Sequence, residues 1–127
     1  MTYVHLSGED LLGIAEEACG RKPYARDVGL VATAAYRAAS GGDAYYPSVL
    51  DKAAALLQSL AFTRPFVDGN KRTAWLACVT FLSLNGVELR PDADAAVRLV
   101  SAVTAGEPDD VATISGALRA MALSDVS

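Results

Sequence analysis

Histidine occurs once in the 127 residues, cysteine twice, and a long apolar run nowhere. The single His5 stands just before a helix-capping serine, so paired-histidine metal sites and cysteine–histidine catalysis are excluded. Cys19 and Cys78 sit in separate apolar helical contexts; they are too few for a disulfide framework and read as two buried free thiols. The longest apolar stretch, residues 74–84, is interrupted by Thr80 and Ser83. It falls far short of the roughly 20 residues a membrane span needs. The first residues, with Glu9 and Asp10 close behind, lack the basic and apolar regions of a signal peptide. Basic charge is not in excess either, since the net charge is −4 and the pI near 4.8. That balance excludes a surface made for coating nucleic acid. The expectation is a soluble, cytoplasmic protein with no membrane and no direct nucleic-acid partner.

What is present is a globular composition, 52% hydrophobic and 20% charged. At this length one domain spanning residues 1–127 can bury a core without metal or disulfides. Period-2 runs and internal repeats are missing, whereas apolar residues recur at helical spacing. Ser7 with Asp10 opens a first helix carrying Leu11, Ile14, Ala15 and Ala18, which Gly20 stops. Asp27 caps a second, with Leu30, Val31, Ala34 and Ala35. A third starts at Pro47 or Ser48 and presents Val49, Ala53, Leu56, Leu57 and Leu60; Pro65 ends the segment by excluding its predecessor from the helical region. A fourth runs over residues 70–84 and is apolar almost all round, which predicts a central helix surrounded by others. Asn85-Gly86 closes it. A fifth begins at Asp92, and a sixth follows Pro108-Asp109-Asp110. The fold class expected is all-α, a compact bundle of about six helices.

The chemistry gathers in Arg64-Pro65-Phe66-Val67-Asp68-Gly69-Asn70-Lys71-Arg72-Thr73, at the start of the fourth helix. A helix N-terminus offers unpaired N–H groups and partial positive charge, so Gly69, Asn70, Lys71 and Arg72 suit a polyphosphate. Two consecutive cations there oppose the helix dipole, a conflict that a phosphate resolves. Asp68 is a hard carboxylate placed for Mg²⁺, an ion that keeps much of its water and bridges to phosphate. Phe66 reads as the apolar anchor of the loop. The pattern is not a P-loop, because the spaced glycines and the preceding strand are missing. Protein-kinase signatures and a Gly-x-Ser-x-Gly elbow are absent too.

Residues 65–74 resemble the signature of the Fic/Doc family, His-Pro-Phe-x-Asp/Glu-Gly-Asn-Gly/Lys-Arg. Arg26-Asp27-x-Gly29-Leu30, Tyr46-Pro47, Lys52-Ala53-Ala54, Phe81-Leu82-x-Leu84-Asn85-Gly86 and Ala105-Gly106-Glu107 are similar to its death-on-curing (Doc) branch. The resemblance implies a compact helical fold that transfers part of a nucleoside triphosphate to a hydroxyl of a target protein. Lys71, where AMP-transferring members carry glycine, implies the Doc side: ATP as donor, its γ-phosphate transferred to a threonine of elongation factor Tu, and translation halted. The same resemblance implies Mg²⁺ on Asp68, an anion cradle shaped by Gly69 and Asn70, and phosphates neutralised by Lys71 and Arg72. It implies a flap over residues 40–46, including Asp43, Tyr45 and Tyr46, that aligns the target. It further implies a small Phd-like antitoxin whose C-terminal segment occupies a groove on the toxin.

One position departs from the pattern. Arg64 stands where the family has its catalytic histidine, which takes the proton from the attacking hydroxyl. A guanidinium has donors only and stays charged below about pH 12. The expectation is a chain that binds nucleotide and is catalytically impaired or dead. The alternatives are a natural pseudoenzyme that binds nucleotide or a partner, and an AMP-transferring Fic protein.

Overall fold

The computed structural model describes residues 3–39 and 48–126. Six helices follow one another: α1 (Gly8–Cys19), α2 (Val28–Ala39), α3 (Val49–Thr63), α4 (Asn70–Leu84), α5 (Ala93–Thr104) and α6 (Val111–Met121). Strands are absent among the described residues, and two isolated bridges, Ala25 with Phe66 and Leu89 with Ala122, join connectors.

Local chemistry explains most of the boundaries. Ser7 and Asp10 form a complete capping box, each side chain bonding the other's amide. Ser48 forms one arm of the same motif on Asp51, and Asp27, Asp92 and Asp110 accept from Leu30, Ala95 and Thr113. Gly20 stops α1 in the left-handed region at φ 71°, where a side chain would be strained. The Asn85 side chain accepts from the Val4 amide and donates to its carbonyl, at 2.8 and 2.9 Å, pinning the N-terminal segment to the end of α4.

Two helices share the centre. Within α3, residues 52–57 are buried without a break, and the helix packs against α2, α4, α5 and α6. Even Lys52 is fully buried there, its ammonium 5.8 Å from the centre of the Tyr3 ring. The most extensive packing is α3 on α4, which buries Ala74, Ala77, Cys78, Phe81 and Leu82 in the core. The apolar circumference of α4 is not fully covered, however: Trp75, Leu76 and Val79 are half-buried and Leu84 is exposed. Trp75, Leu76 and Val79 line a groove between α4 and α5.

Candidate active site

The loop between α3 and α4 is held from both ends. Helix α3 stops at Arg64, whose backbone is left-handed at φ 50°, ψ 64°, the one positive φ among the described non-glycine residues. That region disfavours a side chain by about 1–2 kcal/mol. The α1–α2 connector braces it. The Arg26 guanidinium donates to the carbonyls of Thr63, at 3.2 Å, and of Arg64. The amides of Arg26 and Asp27 both donate to the Pro65 carbonyl, at 2.6 and 3.1 Å, and the Val67 amide donates to the Tyr24 carbonyl at 3.0 Å. Between these bonds Ala25 bridges Phe66, which is only 1% exposed. Phe66 is thus a core residue carrying a surface loop. Asn70 closes the loop, its amide side chain accepting from the Phe66 N–H and donating to the Phe66 carbonyl, both at 2.9 Å.

The α4 N-terminus differs from the other helix starts. Gly69 occupies its N-cap at φ 74°, no side chain caps it, and its first turn holds no acidic residue. Its leading amides are therefore left for an exogenous acceptor, at the positive end of the helix. Glycine is required here twice over: the φ is left-handed, and a Cβ would lie 2.2 Å from Cys19 Sγ. Cys19 is half-buried beneath the loop rather than fully buried, because α1 ends there; Cys78 alone is enclosed. Burial pushes the Cys78 thiol up to about 12, which leaves it unreactive near neutrality.

Arg64, Val67, Gly69, Asn70, Lys71 and Arg72 surround one opening of about 520 Å³, which Thr104 of α5 closes from the far side. The structure therefore brings five sequence-predicted residues, Arg64, Gly69, Asn70, Lys71 and Arg72, to one cavity. Its cations Arg64, Lys71 and Arg72 are exposed, as a mouth for anions requires. Asp68 stands beside them and is ion-paired with Arg21; with side chains 52% and 62% exposed, that pair contributes only about 0–1 kcal/mol. Among the described residues no cluster of three acidic, histidine or cysteine ligands exists. A lone carboxylate beside a phosphate cradle fits an ion that takes its other ligands from phosphate and water, as Mg²⁺ does. The Asn70 side chain is committed to Phe66, so its share in the cradle is loop shape and a backbone N–H. Asp43, Tyr45 and Tyr46 lie outside the described residues.

Four contributors went unseen as site residues in the sequence: Arg21, Arg26, Cys19 and Thr104. Arg26 had a signal in its resemblance motif. The other three are brought in from the end of α1, the connector that follows it and α5, by packing alone. A second opening, about 340 Å³, lies between α4 and α5 and shares Lys71 and Arg72 with the first. Through Trp75 and Ala96 it continues into a third, about 420 Å³, beside Leu89 and Pro91. Together they make an apolar groove that starts at the cations.

Residues 6–82, more than half of the chain and the whole of this loop, match the model of the Fic/DOC family. The chain belongs to the Fic/Doc family. It is similar to a protein named Toxin Doc from Mycolicibacterium smegmatis, 50% identical over 93 residues that cover 71% of each chain. The Fic/Doc match ends within α4, so α5, which supplies Thr104 and the outer wall of the groove, lies beyond it. No described helix is long and apolar enough to cross a membrane.

Proposed function

We propose that this Fic/Doc chain is a single-domain, cytoplasmic toxin of a toxin–antitoxin pair, built to transfer the γ-phosphate of ATP to a threonine of elongation factor Tu. In this reading it retains binding and has lost transfer. The observation that supports the proposal is the shared cavity: Gly69 to Arg72, read as the phosphate binders, and position 64, read as the reacting position, line it together. The similarity to Toxin Doc supports the toxin reading.

ATP with Mg²⁺ would supply the transferable phosphoryl group and offset its charge. Lys71, Arg72 and the uncapped amides of α4 bind and orient the polyphosphate. Asp68, now paired with Arg21, would hold the metal. At position 64 the reaction needs an acceptor nitrogen that titrates near neutrality, so that the target hydroxyl can lose its proton as it attacks. Arg64 has no lone pair to offer. The loss is at least the roughly 10²- to 10⁴-fold ascribed to a positioned base. Asp43, Tyr45 and Tyr46 are assigned to docking the target. The groove between α4 and α5 is assigned to a Phd-like antitoxin segment, because its apolar floor ends at Lys71 and Arg72, where an acidic residue of that segment would pair.

A second reading has its own observation. Three cations around one cavity favour retention of a triphosphate, the property of a nucleotide-binding pseudoenzyme. The test for both is Arg64→His, assayed for transfer from γ- and α-labelled ATP to elongation factor Tu and for growth arrest on expression. Transfer of the γ label with toxicity is expected. A folded, nucleotide-binding but inert Arg64→His chain overturns the toxin-kinase reading and leaves the pseudoenzyme; transfer of the α label identifies an AMP transferase instead.

A further inference from the structure

A left-handed backbone at a residue with a side chain persists only where its surroundings hold it. At Arg64 the residue that follows is proline, which withdraws one amide, and helix α3 has already ended, which leaves its last carbonyls without helical partners. Something else must satisfy those carbonyls. The structure gives them one side chain, that of Arg26, whose guanidinium reaches the Thr63 and Arg64 oxygens together.

We propose that Arg26 is a positioning residue: its guanidinium, through Nη2, locks position 64 in the left-handed turn and so sets the direction in which the reacting side chain enters the phosphate cavity. This rests on the transferase reading of the same cavity. Arg26 itself does not line the cavity, so it acts through position 64 and not on the nucleotide. The phosphate-binding residues are held independently. Lys71 and Arg72 ride on α4, and Asn70 ties the loop to Phe66 without Arg26. Both bonds come from one nitrogen, Nη2, held in a planar guanidinium; a lysine ammonium also has several donors, but on a flexible stem that holds the two carbonyls less firmly.

That separation gives the inference its signature. The full chain carrying Arg64→His is compared with the same chain also carrying Arg26→Gln or Arg26→Lys. Steady-state transfer from ATP, melting temperature and peptide-resolved hydrogen exchange are measured for each. Arg26→Gln is expected to lower kcat about 10- to 100-fold, the effect of a misplaced reacting group, while KM for ATP stays within about twofold. Arg26→Lys should recover part of that loss. Exchange should quicken at residues 64–67 and remain unchanged in α6. An unaltered kcat with unaltered exchange overturns the proposal, as does a joint loss of kcat, ATP binding and melting temperature, which would mark Arg26 as merely structural. If Arg64→His transfers nothing, the transferase reading fails, yet exchange still decides the clamp: quickening confined to residues 64–67 supports it, and none or a uniform rise overturns it.

Discussion

At position 64 the backbone and the side chain make opposite demands. The left-handed turn is one that glycine, asparagine, aspartate and histidine enter more readily than other residues, and arginine is not among them. Arg64→His is therefore expected to leave stability unchanged or slightly raised, whereas β-branched Arg64→Val should lower it by about 1–2 kcal/mol; urea denaturation of the three chains checks this. A Val variant as stable as the parent would show that the turn is not strained. Gly69 offers a second measurement. Gly69→Ala combines a backbone penalty with a collision against Cys19 Sγ. Truncating the sulfur in Cys19→Ala should relieve the second part only, so the double variant should lose less than the sum of the singles while about 1 kcal/mol persists. Strict additivity would mean that the sulfur simply rotates away. Neither conflict could be read from the sequence, because Cys19 and Gly69 meet only once α1 lies across the loop.

Individual helices were far more legible. Their starts are written in two or three neighbouring residues: Ser7, Asp27 and Ser48 cap as their spacing predicts, and the fifth and sixth helices, expected from Asp92 and after Asp110, are capped by those two residues. Asp110 carries a pH signature. The Thr113 hydroxyl and then the Thr113 amide hold its carboxyl below the ordinary carboxylate range. A group with a lowered folded pKa stabilises above its unfolded value and loses that contribution as pH falls through the folded one. The α6 cap should thus weaken only under acid, and Asp110→Asn, which caps without titrating, should flatten that part of the stability profile. An unchanged acid limb would remove Asp110 from the account. What helical periodicity misjudged was how completely α4 is covered. An apolar circumference announces burial, but it does not say whether the cover comes from the same chain. On the α5 side of α4, Trp75, Leu76 and Val79 wait half-covered.

For the whole molecule, charge is distributed against its own sum. A chain of net charge −4 gathers Arg64, Lys71 and Arg72 at one mouth, so an approaching polyanion is repelled broadly and attracted locally. Affinity for ATP with Mg²⁺ is expected to fall steeply as salt shortens the screening length below about 10 Å, and Lys71→Ala or Arg72→Ala should make that dependence shallower. Salt-independent binding would place the phosphates elsewhere. The bundle class and the motif were open to sequence reading because periodicity and the ten-residue signature are both local. The cavity was not, because its wall, brace and floor come from α5, the α1–α2 connector and the α3–α4 loop.

That last arrangement bears on the order in which the protein is made. The brace, residues 24–27, and the motif, residues 64–72, are made before Thr104, which comes with the end of α5. A growing chain therefore carries every residue of the signature before it carries the wall that turns them into a cavity. For a protein read as an inhibitor of translation, the site is completed only after its signature has been made.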